Sequence, residues 1–171
     1  MRSFYYEHRF PISPEELITL MDAPFFREYL NLHMPGRART EQDIRSNTAS
    51  QRVKHLRTTP QFSLPSRVEK LISRFQPHVD QEMTLDKAKM IETVRWRAPF
   101  GHMAAQARYF SDGSQGTVRR YEGSFECTLP LVARIVEPLI LKQLGPMYDA
   151  EVELTRRYVT GAGGALSPRG M

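Results

Sequence analysis

The chain is poor in cysteine. Its 171 residues hold one, Cys127, so no internal disulfide can form and no thiolate metal cluster can be assembled. With no partner motif nearby, Cys127 reads as a small core residue rather than a nucleophile. Long apolar runs are also missing: nothing approaches the roughly 20 residues needed to span a bilayer as a helix. The opening residues, Met1 to Arg9, carry charges where a secretory signal would need an apolar stretch, which leads to a cytoplasmic expectation. There is no long block of one charge. Lys and Arg number 24 against 19 Asp and Glu, a formal +5 that is scattered as isolated pairs such as Arg119-Arg120 and Arg156-Arg157. Such a surface permits transient attraction to an anionic membrane surface but lacks the basic stripe of a nucleic-acid binder, and no nucleic-acid partner is expected.

Signatures of several enzyme classes are absent too. There is no Gly-x-Ser-x-Gly, no phosphate-cradling loop and no dinucleotide fingerprint; Gly161-Ala162-Gly163-Gly164 follows a predicted helix instead of opening one. The five histidines, His8, His33, His55, His78 and His102, have no partner at i+4 and no acidic companions at ligand spacing, so no metal, no cofactor and no catalytic set is expected.

What the chain has is periodicity. From Leu131 to Val159, Val132, Ile135, Val136, Leu139, Gln143, Met147, Ala150, Leu154 and Tyr158, apolar but for Gln143, recur at steps of three and four, the pattern of a helix with one buried side. Arg134, Glu137, Lys142, Glu151 and Arg156 are expected on the opposite, solvated side. Gly145-Pro146 is expected to kink this helix and Pro138 to interrupt it, because proline removes an amide donor and crowds the preceding turn.

Upstream, Phe4, Tyr6, His8 and Phe10 alternate with polar residues as a half-buried strand would. Ser13-Pro14-Glu15-Glu16 is a capped helix start, and Ala23-Pro24 opens a second short helix carrying Phe25, Phe26, Tyr29 and Leu30. A hairpin is predicted from Arg37 to about Ser46 and from Arg52 to Thr59, turning at Asn47 to Ser50. A short helix follows from Leu64 to Phe75 as a lid. Strands are then predicted at Val79 to Lys87, Met90 to Ala98, Met103 to Phe110 and Thr117 to Thr128. The fold class is therefore α+β: an antiparallel sheet of about six or seven strands with a long C-terminal helix across its apolar face. Residues 1–159 form the expected single domain, and the glycine-rich 160–171 a disordered tail.

This order of elements resembles the helix-grip fold of the START and birch-pollen-allergen-like (SRPBCC) superfamily. Within it, Phe10-Pro11-Ile12-Ser13-Pro14-Glu15-Glu16-Leu17, Thr59-Pro60 with Leu64-Pro65, and Leu129-Pro130-Leu131-Val132 resemble an uncharacterised bacterial branch. A weaker likeness to PRELI-like lipid carriers lies in Arg57-Thr58-Thr59 and in Leu64-Pro65-Ser66-Arg67-Val68-Glu69-Lys70-Leu71. Pro138 and Gly145-Pro146 depart from the bacterial branch. The superfamily implies a hollow between sheet and helix that takes a hydrophobic small molecule or lipid.

The residues expected to bind such a ligand are His8, Phe26, Tyr29, Leu71, Trp96, Tyr109, Tyr121, Phe125, Leu139 and Met147. His8 could orient a ligand or move a proton near neutral pH, and Tyr109 and Tyr121 could present phenols to an apolar pocket. Of Arg57, Arg95, Arg97 and Arg119, any that turns inward needs an anion, for which Glu92 and Glu122 are available. The inward face of Met90 to Ala98 stays open; if Val94 and Trp96 point in, Arg95 and Arg97 point out. Three functions compete: binding or carriage of an apolar small molecule or lipid, acidic or neutral; a cyclase- or hydratase-like enzyme with His8 or a tyrosine as acid or base; and an interaction module with a filled core. The absence of a positioned nucleophile and base favours the first. Entry to the interior is expected to be gated by the segments around Phe25-Phe26 and Leu64 to Phe75.

Overall fold

The alternation at the N-terminus becomes a strand, β1 (Arg2–Phe10), with His8 and Phe10 buried and Tyr5, Glu7 and Arg9 turned away from the core. The computed structural model describes residues 1–35, 37–60, 66, 70, 78–130 and 132–161. Ser13 caps α1 (Pro14–Asp22) with a full capping box: its hydroxyl accepts from Glu16 N at 3.3 Å, and its own N–H donates to Glu16 Oε2 at 3.0 Å. Pro24 stops α1 by restricting Ala23 to extended backbone and opens α2 (Pro24–His33) at the position where a missing N–H costs nothing.

Six further strands follow: β2 (Arg37–Asn47), β3 (Gln51–Pro60), β4 (Val79–Asp86), β5 (Ile91–Ala98), β6 (Gly101–Ser111) and β7 (Thr117–Cys127). All pairs are antiparallel, in the order β1-β7-β6-β5-β4-β3-β2, so each strand from β2 to β7 lies beside its sequence neighbour and β1 closes the far edge on β7. The long helix, α3 (Ala133–Thr160), ends on Gly161, whose φ of 71° gives the left-handed terminus that glycine adopts without strain. This is the helix-grip arrangement expected from the sequence: a curved antiparallel sheet, two short helices after the first strand and a long C-terminal helix. The predicted lid helix, Leu64 to Phe75, lies outside the described residues but for Ser66 and Lys70, as does the tail from residue 162.

The main core sits between α3 and the inner face of the sheet, where Val136, Ile140 and Leu144 meet Val94, Trp96 and Phe125. A second cluster fixes α2 to the end of α3: Phe26 and Leu30, fully buried, pack with Tyr29, Met34 and Leu154. Each such buried side chain contributes about 1.5–3 kcal/mol through removal of apolar surface from water.

Two expectations for α3 are corrected. The expected interruption at Pro138 is not found: the helix is continuous from Ala133 to Thr160, with Pro138 and Pro146 inside it. In the turn before Pro146, the Leu141 carbonyl accepts a hydrogen bond from Tyr6 Oη at 3.1 Å, a tertiary partner in the stretch that the proline weakens. The buried stripe also differs. Ile135 is 48% exposed, while Glu137, assigned to solvent by its charge, is 6% exposed. Glu137 Oε1 accepts from the N-terminal ammonium at 3.0 Å and from Cys127 N at 3.1 Å, and those donors hold its carboxyl below the usual range, the Cys127 amide first. A charge turns inward where partners wait for it.

Candidate functional site

Strand register decides which side chains share the interior. Residues opposite one another across an antiparallel sheet point to the same face, so Leu56, Gln81, Trp96, Met103 and Phe125 form one inward row across β3 to β7. Arg52, Leu85, Glu92, Ala107, Tyr121 and Tyr6 form another. Glu92 and Trp96 are four residues apart on β5, which separates the two rows by about 13 Å at the rise of a strand. Between these rows and α3 lies a cavity of about 140 Å³. At its mainly apolar end it is lined by Leu56, Val79, Trp96, Met103 and Leu144 together with the uncharged polar side chains of Thr40, Thr58 and Gln81; at the other by Arg52, Lys54, Glu92, Tyr109, Arg119 and Glu151. Ile18, Met21 and Arg27 from α1 and α2 complete its wall, with Met147 and Tyr148 from α3 between the two ends.

The polar end is a network of buried ions. Arg52, 2% exposed, spends one terminal nitrogen on Asp22 of α1 and the other on Glu92 of β5. Glu92 Oε2 also accepts from Tyr109 Oη at 2.9 Å, and Lys54 Nζ donates to Asp22 Oδ1 at 3.3 Å. Burial opposes the charge on Arg52, yet Glu92 and Asp22 outweigh it and its pKa is raised. Lys54 goes the other way: burial outweighs Glu92 and Asp22, and its ammonium pKa falls. Burial, joined by Glu92, lifts Tyr109 well above its ordinary value, so its phenol stays protonated. Arg119 Nη1 donates to Glu151 Oε1 at 2.7 Å, and its guanidinium lies 5.0 Å from the Phe10 ring centre. Arg27 Nε donates at 3.3 Å to the neutral amide oxygen of Gln42. Among the described residues, no group of three or more His, Cys, Asp or Glu is placed to hold a metal ion.

Of the ten ligand residues expected from sequence, Trp96, Tyr109, Tyr121 and Met147 line the cavity. Phe26 and Tyr29 lie instead in the cluster that ties α2 to α3, where ring packing against Tyr158 accounts for them. Phe125 is fully buried under Trp96, its ring 5.4 Å away. Leu139 is half-buried on α3 outside the lining, and Leu71 lies outside the described residues. His8 is 7% exposed, with Nε2 3.3 Å from Asp149 Oδ1 and Nδ1 without a partner among the described residues. Burial first and Arg119 second lower its pKa, against Asp149 and Glu151.

Val94 and Trp96 do face inward, leaving Arg95 and Arg97 exposed, and Arg57 is exposed as well. Arg119 is the inward arginine of the four. Its partner is Glu151 rather than Glu92 or Glu122: Glu92 is taken by Arg52, and Glu122 sits on the outer face 3.8 Å from Arg108. Glu151, expected on the solvated side of α3, is thus drawn inward by a buried guanidinium. Asp22, Arg27, Arg52 and Lys54 were not anticipated. For two of them the signal was in β3, where Arg52, Lys54, Leu56 and Thr58 alternate with Val53, His55, Arg57 and Thr59; Leu56 marks the inward phase.

Residues 5–159 match the family described as proteins of unknown function, DUF2505. The chain belongs to that family. No curated protein matches this DUF2505 member by sequence. Solved structures resemble it closely in fold at low identity. The Zhui aromatase/cyclase from Streptomyces sp. R1128 aligns with a TM-score of 0.63 at 15% identity, covering 96% of this chain and 99% of that one. A norcoclaurine synthase from Thalictrum flavum gives 0.60 at 17%, covering 92% and 96%. A START superfamily protein from Mycobacterium smegmatis gives 0.55 at 13%, covering 88% and 97%. These likenesses establish the fold, START and birch-pollen-allergen-like, and nothing finer.

Proposed function

We propose that this DUF2505 protein binds an amphipathic small molecule between the sheet and α3. Its apolar body would lie against Trp96, Met103 and Leu144 and its polar end toward the ion network. The observation that carries this reading is the cavity itself, with its apolar and ionic ends at opposite limits of the same strands. A volume of about 140 Å³ suits a ligand built around one ring or a short chain; an engineered apolar cavity of about 150 Å³ takes benzene. Burial of the ring or chain supplies affinity, and fixed polar groups supply orientation. The fold neighbours support a ligand-binding interior, since those of known activity include a cyclase and a synthase.

A second reading, acid–base chemistry on the bound molecule, rests on Lys54, which lines the cavity with a lowered pKa. Against it, the phenols of Tyr109, Tyr121 and Tyr148 are all pushed up by burial, away from the range in which they could serve as bases. Native mass spectrometry of gently purified protein tests the binding reading: a small-molecule adduct, lost on unfolding, is expected. Uniformly bare protein that also fails to take up any of a panel of single-ring acids, amides and alcohols contradicts it.

A further inference from the structure

We infer that the ligand of this cavity carries a single negative charge, a carboxylate, held side-on by Arg119. The inference rests on the binding reading above and names its chemistry. A guanidinium offers two edges to an anion, and on Arg119 they are in different states. Nη1 is committed to Glu151 Oε1 at 2.7 Å. Nε and Nη2, whose N–H bonds run parallel and match the two oxygens of a carboxylate, are buried with no partner among the described residues. Arg119 is 8% exposed and lines the cavity. A buried donor pair left unsatisfied is costly, and an anion that reached this fork from the cavity would satisfy both N–H groups at once.

Arg52 shows the contrast. It lies in the same cavity wall, but both of its terminal nitrogens are taken by protein carboxylates, which leaves a single unpartnered nitrogen, Nε, and no fork. Arg119 is also held in place before any ligand arrives. Glu151 fixes one end of the guanidinium, and its central carbon lies over the Phe10 ring, 5.0 Å from the ring centre, and over that of Tyr148 at 5.8 Å. A preorganised fork loses little freedom when it closes on an anion.

Charge points the same way. Among the described residues at the polar end, Arg27, Arg52, Lys54 and Arg119 face Asp22, Glu92 and Glu151, an excess of one positive charge when each is ionised. One carboxylate balances it, whereas a phosphate monoester, at about −1.5 to −2, overshoots. From Arg119 the apolar body of the ligand would run past Met147 toward Trp96, in the direction from Tyr109 to Met103 along β6.

Calorimetric titration with 3-phenylpropanoate, 3-phenylpropanamide and the phosphate monoester of 2-phenylethanol separates the possibilities, on the wild-type chain and on Arg119→Lys and Arg119→Gln. The acid is expected to bind the wild type about tenfold or more tighter than the amide, the margin of a charge-assisted bidentate contact. Both variants are expected to lose that margin with the amide's affinity unchanged. Arg119→Lys keeps the charge that faces Glu151 and removes only the fork, so it carries the test if Arg119→Gln does not fold. Equal binding of acid and amide to the wild type overturns the carboxylate assignment and leaves cavity binding standing. An acid preference that survives in Arg119→Lys overturns the role of the fork. Tighter binding of the phosphate than of the acid overturns the single charge. Failure of all three probes to bind removes the cavity reading, and this inference with it.

Discussion

Replacing Arg52 by methionine should be the most damaging single change at the polar end of the cavity. The side chain is 2% exposed and joins Asp22 to Glu92, whose own side chains are 16% and 3% exposed. Methionine fills most of the same space, so the loss is mainly electrostatic: two carboxylates remain, and the fully buried one, Glu92, keeps the Tyr109 hydroxyl as its hydrogen-bond donor among the described residues and Lys54 as a nearby charge, but loses its direct ion pair. Breaking one side of a buried ion pair costs about 3–5 kcal/mol, because the surviving charge is desolvated without compensation. For a chain of this size, each kcal/mol moves Tm by about 2–4 °C, so the expected fall is about 6–20 °C. The double variant Arg52→Met with Glu92→Leu removes the stranded carboxylate and leaves Asp22 to Lys54, 3.3 Å away. It should recover to within about 1–2 kcal/mol of wild type, since buried pairs replaced by apolar side chains are often near neutral. Urea unfolding of the wild type, both single variants and the double variant gives the coupling energy directly. A loss below about 1 kcal/mol in Arg52→Met, or strictly additive losses in the double, would refute the reasoning.

Other expectations are independent of this network. Gly123→Ala should destabilise by about 1–3 kcal/mol in urea unfolding, because a Cβ there would lie 2.5 Å from the Ala104 carbonyl oxygen and 2.6 Å from Ala105 Cβ; an unchanged midpoint would contradict that crowding. His8 should titrate by NMR below its ordinary 6.5, because burial and then Arg119 disfavour the imidazolium. As pH falls below 6.5 the unfolded chain takes up this proton first, so His8 makes stability decline between 6.5 and its folded value; a midpoint above 6.5 would mean that Asp149 dominates. Glu16 and Glu137 are held below the usual 4.5, Glu16 by the Ser13 amide and Glu137 by the Cys127 amide. Their contribution should be complete above about pH 4.5 and be lost as pH drops through the folded values, so Glu137→Gln should flatten the acid limb of the stability profile. Cys127, buried with its thiol pKa raised, should react with a disulfide reagent only on unfolding.

Elements were easier to read from the sequence than facings. Period-two alternation and proline punctuation placed the strands within a residue or two, because those signals are local: Ser13-Pro14-Glu15-Glu16 carries its own capping box, and Gly161 its own helix stop. The polar end of the cavity was opaque for the opposite reason. Glu137 and Glu151 turn inward only because Cys127 N and Arg119, from strand β7, are brought to them by the fold. Arg52 and Lys54 carry no facing signal of their own, and only the phase they share with Leu56 and Thr58 points them inward. A burial rule that sends charges outward fails wherever a cavity gathers several of them, since each then finds its counter-ion inside. Trp96, Tyr109, Tyr121 and Met147 were legible because an apolar or amphipathic side chain on a predicted inward face needs no distant partner.

Trp96 offers the most direct test of the cavity as a binding site. It is the chain's one tryptophan, 7% exposed, and it lines the apolar end. Titration with 4-bromophenylacetate, whose bromine quenches tryptophan emission on contact, should reduce Trp96 fluorescence along a saturable curve that a non-brominated phenylacetate competes away. Quenching that rises linearly with concentration, is insensitive to the competitor and matches the slope seen for the urea-unfolded chain would mean that the interior takes no ligand.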